Sequence, residues 1–383
     1  MSEPIYLDHA ASTPVAPEVV DSMLPHFADD YGNPSSVHRW GQRAEASVDR
    51  ARLEMATVLN CVPDEIIFTS CGSESDNLAL RGVLLAARTS GRGEHFITSS
   101  IEHDAILHTA KQLRDVYGFE LSLLPVDEFG CVAPDVVQAA MRPDTVLVSV
   151  MYANNEIGTI EPISEIAAVA HAGGALFHTD AVQAASQLSV DVRALDIDLL
   201  SLGAHKFYGP KGVGTLYVRS GAALEPVQTG GAHERGRRAG TSNVPLIAGM
   251  ATAMQLTAER RKEDVTRFST LRDRLIDGIL SSVPESRLTG HPTARLPNNA
   301  SFVFRSVDGN ELLMRLDMEG IAASSGSACK TGDPSPSGVL LALGLEAEWA
   351  LGSLRLTVGR STTDGQIDHV LDVLPGLVNS LRA

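Results

Sequence analysis

The sequence predicts an open, mainly parallel α/β sheet with crossover helices, joined to a smaller α+β part. Three observations carry this. Short β-branched or aromatic runs alternate with helical stretches from about residue 66 to 218, the pattern of a parallel sheet. Polar residues repeatedly follow those runs, where open α/β sheets bind ligands. The alternation then gives way, after about residue 245, to a long helical stretch and scattered strands. A chain of 383 residues exceeds what one core usually covers, so two parts are expected: a large one over 15–250, and a smaller one built from 1–14 and 251–383. No repeat, low-complexity tract or linker separates them, so they should pack together.

The elements follow in order. Ile5-Tyr6-Leu7 reads as a short strand leading into Asp8-His9-Ala10-Ala11-Ser12-Thr13-Pro14, a loop of small residues able to approach a site closely. Asn33 sits in a turn cluster, as a polar contact or merely a turn residue, before an Ala-, Glu- and Arg-rich helix over Arg39 to Leu59. Ile66 to Thr69 is a strand running into Cys71-Gly72-Ser73-Glu74-Ser75 and a helix through Arg88. Small residues at that junction make either a phosphate cradle of free backbone N–H groups or an ordinary cap on Ser73. A strand over His95 to Thr98 is followed by His103 at the mouth of another helix, where a histidine serves as acid/base, stacks on a planar ring or is simply structural. Strands over Val146 to Met151 and Ala175 to His178 deliver Asn154-Asn155-Glu156 and Thr179-Asp180-Ala181-Val182-Gln183.

The strand ending at Leu202 delivers Lys206, which precedes a Gly/Pro turn and a further strand over Val213 to Val218. An amine at the carboxyl end of a strand can be desolvated; burial disfavours the ammonium form, and the neutral amine is the nucleophile that forms a Schiff base with an aldehyde. That is the chemistry by which pyridoxal phosphate is held. Gly230 to Thr241 is a glycine-rich basic loop in an acidic chain, either a solvated charge run or an anion-binding or inter-subunit contact. In the smaller part a long helix over Val244 to Leu280 leads to strands over Ala300 to Phe304, Ile321 to Ala323 and Leu354 to Val358, with a helix over Gly309 to Met318 and another at the end.

Composition narrows the function classes. A hydrophobic content of 44% with 20% charged residues is that of a globular protein. The net charge of −16 argues against direct nucleic-acid binding, whose affinity comes largely from Lys and Arg on phosphates. The first residues carry neither a basic region nor an apolar core, and no apolar run approaches the roughly 18 residues of a membrane span; a cytoplasmic protein without membrane contact is expected. Four cysteines, Cys61, Cys71, Cys131 and Cys329, form no CxxC pair, so neither a disulfide framework nor a structural zinc site is expected. The first three read as buried small hydrophobes. Cys329 lies beside Lys330 in a stretch of small, polar and breaker residues, where a lysine can lower the thiol pKa. Arg355, within the strand pattern Leu354 to Val358, is a natural clamp for a carboxylate or simply a partly exposed strand residue.

Seven motifs in order, SESDN at Ser73, EHDAIL at Glu102, NNEIG at Asn154, HTDAVQ at His178, HKFYGPKG at His205, RAGT at Arg238 and SSGSAC ending at Cys329, resemble those of the cysteine desulfurase family. These are pyridoxal-phosphate enzymes of fold type I, related to class V aminotransferases, and the resemblance runs from Tyr6 to about Thr363. It implies a large domain with a mainly parallel seven-stranded sheet and a smaller α+β domain carrying the Cys329 loop. It implies that Lys206 holds the cofactor and moves protons, that Asp180 pairs with the protonated pyridine nitrogen, and that His103 stacks on the ring and assists proton transfer. Asn155 and Gln183 would address the ring oxygen. Gly72, Ser73 and His205 would hold the phosphate with the helix N-terminus, and Thr241 would reach it from the second subunit of a homodimer. Arg355 and Asn33, with Asn155, would bind the substrate L-cysteine, and no metal is implied.

Cys329 would then take the sulfur of the bound cysteine as a persulfide, leaving L-alanine. The segment after Cys329 has the length found in the subgroup that serves iron–sulfur assembly, so a sulfur acceptor or iron–sulfur scaffold protein is the implied partner. Gly203 stands where many members place a phosphate-binding Ser, and Ala232 and Ala239 replace a common Gly and Ser. The alternatives are a selenocysteine lyase or another carbon–sulfur lyase with the same cofactor site, an aminotransferase, which needs no loop thiol, and a catalytically silent sulfur-relay subunit, against which the intact Lys206 argues.

Overall fold

The computed structural model describes residues 4–325 and 335–382; Cys329 lies outside the described residues. Strand β1 (Ile5–Tyr6) precedes a seven-stranded sheet of β2 (Ile66–Thr69), β3 (His95–Ser99), β4 (Glu120–Leu124), β5 (Thr145–Ser149), β6 (Leu176–Asp180), β7 (Leu199–Gly203) and β8 (Gly214–Val218), in the order β2-β8-β7-β6-β5-β3-β4. Strands β4, β3, β5, β6 and β7 are mutually parallel, and β8 is antiparallel to both β7 and β2. The mainly parallel seven-stranded sheet expected from the resemblance is therefore present. Strands β5 and β7 are wholly buried, and β6 between them is buried from Phe177 on, as a sheet covered by helices on both faces requires.

Each face has its own apolar layer. Val48, Met55, Phe177, Phe207 and Met254 pack on one side; Leu80, Leu84, Phe96, Leu113 and Leu216 pack on the other. The helix Arg39–Leu59 puts Ala44, Val48, Ala51, Met55 and Leu59 inward at helical spacing and stops at Asn60, whose φ of 55° is left-handed. The helix Gly72–Thr89 starts where the small-residue junction was expected, but its cap is Cys71, whose Sγ accepts from Glu74 N–H at 3.4 Å; Ser73 is exposed in the first turn.

The remaining strands are β9 (Ser286–Leu288), β10 (Asn299–Phe304), β11 (Ile321–Ala322) and β12 (Ser353–Thr357), with β10 between β9 and β12 and β11 parallel to β1. The helix Val244–Ser282 belongs to both halves of the molecule: Val244 to Met254 pack into the core beneath the large sheet, and Phe268 to Ile279 pack with Ile5, Leu7, Phe302, Leu356 and Val378 in a second core. A small apolar cluster of Ile101, Met151, Ile157, Val303, Leu340 and Trp349 joins residues of the large sheet's loops to those of the second core's elements. Among the described residues, no helix is long and apolar enough to cross a membrane.

Candidate active site

Strands β5, β6 and β7 end side by side, and their carboxyl ends carry the polar residues singled out above. Asp180 is the last residue of β6 and is 6% exposed. Its Oδ1 accepts the amide of Val182 at 2.8 Å, and among the described residues no donor reaches Oδ2. Burial pushes the Asp180 carboxyl above the usual carboxylate range, while the charges of His103 and Lys206 pull it down. A buried carboxylate flanked by these two groups is built to receive a cationic N–H donor.

Lys206 ends a 3₁₀ turn, Ala204–Lys206, directly after β7. The strand-end position deduced from the sequence is the one it occupies. Its Nζ donates to the carbonyls of Ala10 and Ala11 at 2.7 and 2.8 Å. Gln183 Nε2 also donates to the Ala10 carbonyl, at 2.9 Å, so the loop after β1 lies over the ends of β6 and β7. His205 has its Nδ1 3.4 Å from Ser12 Oγ in the same loop, and its pKa is lowered to about 4 by burial and by Lys206 and Lys211. A neutral ring there is a hydrogen-bond partner rather than a cation.

His103 caps the helix Asp104–Asp115, its Nδ1 accepting from Ala105 N–H at 3.1 Å. In the neutral ring the proton is therefore assigned to Nε2. Arg355 on β12 is 6% exposed. Its Nη1 donates to the Asn155 carbonyl and its Nη2 to Asp8 Oδ1, both at 2.9 Å. Arg355 and Asn155 are thus brought together, and among the described residues Nε is buried without a hydrogen-bond partner. Asn33 and Thr241 are placed elsewhere. Asn33 Oδ1 accepts from Ser35 N–H, and with the exposed Thr241 it lines a pocket of about 240 Å³ whose walls include neither Lys206 nor Asp180 nor Arg355.

Four features were not read from the sequence. The carbonyls of Ala10 and Ala11 and the carboxylate of Asp8 complete the site; the signal was the small-residue loop itself. Beneath Asp180, His178 is held by Ser149 Oγ at 2.8 Å and Ser201 Oγ at 3.0 Å, and burial takes its pKa down to about 3. Asp76 Oδ1 lies 3.9 Å from His178 Nε2; burial and the neighbouring Asp180 charge hold its carboxyl well above the usual range. The two buried carboxyls raise each other's resistance to ionisation, and the charges of His103 and Lys206 lower that of Asp180. Glu156 accepts from Ser337 Oγ at 2.5 Å. Among the other cysteines, burial pushes the thiols of Cys61 and Cys131 up to about 12, which makes them poor nucleophiles.

This arrangement fits pyridoxal phosphate. It supplies a lysine amine for the aldehyde, a buried carboxylate for a protonated ring nitrogen, a histidine at a helix mouth and an eighteen-residue helix starting at Gly72 for the phosphate. The approach to that helix is narrow: a Cβ on Gly72 would lie 2.7 Å from Val182 Cγ2, so only glycine lets the backbone come this close.

Comparison with known proteins agrees. The model of the family Aminotransferase class-V matches residues 5–370. The chain is 48% identical over 378 residues to "Cysteine desulfurase IscS" of Methanosarcina thermophila, covering 99% of this chain and 93% of the relative. It is 46% identical over 384 residues to the protein of the same name from Clostridium botulinum, covering 100% and 96%. Among solved structures, a "NifS-like protein" superposes with a TM-score of 0.91 at 35% identity, covering 99% of this chain and all of the other. Such similarity extends over both halves of the molecule. The chain belongs to the class-V aminotransferase family and is a cysteine desulfurase that works with pyridoxal phosphate.

Proposed function

We propose that this enzyme removes sulfur from L-cysteine through the thiolate of Cys329, with Lys206, Asp180 and His103 serving the cofactor. The observation that carries the reading is the convergence of Lys206 and Gln183 on the Ala10 carbonyl beside the buried Asp180. When bound, the cofactor supplies an electron sink for the carbon–sulfur bond. Lys206 holds it and carries protons, Asp180 keeps its ring nitrogen protonated, and His103 offers a ring face and a proton on Nε2. Asn155 and Gln183 address its ring oxygen, while Gly72, Ser73, His205 and the helix N-terminus take its phosphate. Arg355, fixed by Asp8 and the Asn155 carbonyl, binds the substrate carboxylate.

In the transfer, the carbon–sulfur bond of cysteine breaks, its electron pair stays with carbon and is protonated, and a sulfur–sulfur bond forms to Cys329. The products are L-alanine and a persulfide, so no external oxidant is required. The persulfide then passes to a sulfur acceptor or iron–sulfur scaffold protein, which places the enzyme in iron–sulfur assembly in the cytoplasm. Naming of the relatives as desulfurases supports this acceptor class and lends nothing to a selenocysteine lyase.

A homodimer is part of the same reading. Leu24, Phe27, Tyr31, Val37 and Trp40 are large, exposed apolar residues within one short stretch, Val37 at 91%. Thr241 lines a pocket with Tyr31 and Asn33 from that stretch, which supports a surface covered by a second copy, with Thr241 reaching the partner's phosphate site. The two apolar cores likewise support a division into a cofactor-binding domain over 15–250 and a smaller domain of 1–14 and 251–383.

The test is mass spectrometry of the cofactor-loaded protein after incubation with L-cysteine. Added sulfur on the peptide carrying Cys329, with L-alanine released, is expected, and Cys329→Ser should abolish both. Alanine release that survives Cys329→Ser would exclude the persulfide route.

A further inference from the structure

We infer that Glu156 is a positioning residue for sulfur transfer: by holding Ser337 it ties the chain that follows Cys329 to the turn that grips Arg355. This rests on the role proposed for Cys329. Glu156 is clamped on three sides. Its N–H donates to Asn154 Oδ1 at 2.8 Å, its carbonyl accepts from Asn299 Nδ2 at 3.2 Å, and its Oε2 accepts from Ser337 Oγ at 2.5 Å. The last distance is that of a charge-assisted O–H···O⁻ bond.

Ser337 has a second duty. Its Oγ caps the helix Gly338–Ala342, accepting from Val339 and Leu340 N–H at 3.1 and 3.4 Å. A hydroxyl has one proton to give, and with both of those contacts accepting, that proton goes to Glu156. Val339 and Leu340 pack with Ile101, Met151 and Ile157 from the loops of the large sheet. The start of this helix is therefore fixed by one polar and one apolar contact to the same loops.

The other end of the segment is anchored to the same place. Ser324 exchanges both backbone hydrogen bonds with Arg355, at 2.7 and 3.2 Å, and Arg355 donates to the carbonyl of Asn155, the residue before Glu156. Ser324 is five positions before Cys329 and Ser337 eight positions after it, so the chain can extend at most about 17 and 28 Å from those two residues. Releasing the Ser337 hydroxyl from Glu156 leaves the start of this helix held to those loops by the apolar contact of Val339 and Leu340. Burial raises the Glu156 carboxyl to about 7, with Ser337 and Arg355 lowering it and Asp104 raising it.

The experiment mixes the cofactor-loaded full chain with one equivalent of L-cysteine, quenches at intervals and reads added sulfur on the Cys329 peptide, while the visible spectrum reports cysteine binding. Glu156→Gln and Ser337→Ala should each slow persulfide formation about tenfold or more, the double variant should be no slower than either, and Ser337→Thr should stay near wild type. The spectral response to cysteine should persist in all of them. If Glu156→Gln does not fold, the comparison of Ser337→Ala with Ser337→Thr decides. Unchanged rates, losses that multiply in the double variant, or a loss confined to cysteine binding would overturn the inference while the wild type still forms its persulfide. A wild type that forms none on Cys329 overturns the proposed function and this inference together.

Discussion

Lys206 and Gln183 share one acceptor, the carbonyl oxygen of Ala10, at 2.7 and 2.9 Å. The two side chains come from the loops after β7 and β6, and the acceptor comes from the loop after β1, almost two hundred residues away in sequence. Because Lys206 also donates to Ala11, the loop of small residues acts as a cover against which the amine is oriented. A larger side chain at the buried Ala10 would hold that backbone away from the amine.

Replacing this lysine tests the site at its centre. Lys206→Ala is expected to abolish covalent attachment of pyridoxal phosphate and to lower alanine production by about 10³-fold or more, since both the nucleophile and a proton carrier are lost. Borohydride reduction followed by peptide mapping checks the attachment. A cofactor still bound covalently in the variant would assign the role to another amine.

Gly203 offers a gain rather than a loss. A Cβ there would meet nothing closer than Gly72 N at 3.4 Å, with Val182 Cγ1 at 3.6 Å, so a serine fits without displacing backbone. Gly203→Ser adds a hydroxyl next to the start of the phosphate-facing helix. One added hydrogen bond is worth about 0.5–1.5 kcal/mol, so the cofactor Kd should fall roughly 2- to 10-fold, measured by titrating the apo-protein and following absorbance. A Kd that is unchanged or higher would place the phosphate out of reach of this position.

Glu102 makes stability depend on pH. It is 3% exposed and accepts from Ser99 Oγ at 2.6 Å and Met151 N–H at 2.9 Å, and burial raises its pKa to about 8. With a folded pKa above the unfolded value, the folded state binds more protons between about pH 4.5 and 8. The stability from its protonated form is full at the acidic end of that window and is lost as pH rises through 8. Glu102→Gln keeps a neutral group of the same shape, so its Tm relative to wild type should climb by about 2 °C or more between pH 5 and pH 9. Glu161, raised to about 8 as well, remains in the variant, so the slope is reduced, not removed. A constant Tm difference across that range would show that Glu102 stays protonated or ionised throughout.

The strand-to-loop transitions were legible along the chain because they depend on local signals. Runs such as Ile66 to Thr69 and Leu199 to Leu202 are strands on their own propensity, and glycines, prolines and small residues mark where they stop. That local grammar placed Lys206, Asp180, Asn155 and His103 after strands or at helix mouths, and it made the sheet parallel, since helices alternate with those strands. The small-residue loop at Asp8 to Pro14 was also legible as a close approach, though not what it approaches.

Partnerships between distant residues were decided by the tertiary structure alone. Asp8 and Arg355 are 347 positions apart and meet because the chain after β1 pairs alongside β12, Asp8 bridging Thr357 in parallel; no periodicity in either segment encodes the other. The same holds for Glu156 and Ser337, 181 positions apart, and for the raised carboxyls of Asp76 and Asp180, which are both buried and feel each other's charge, with His103 and Lys206 opposing the rise at Asp180. A residue's type and local spacing set which chemistry it can offer. Which groups surround it, and so whether it is charged, oriented and in reach, is a property of packing, because desolvation and Coulomb energy depend on distances in space rather than along the chain.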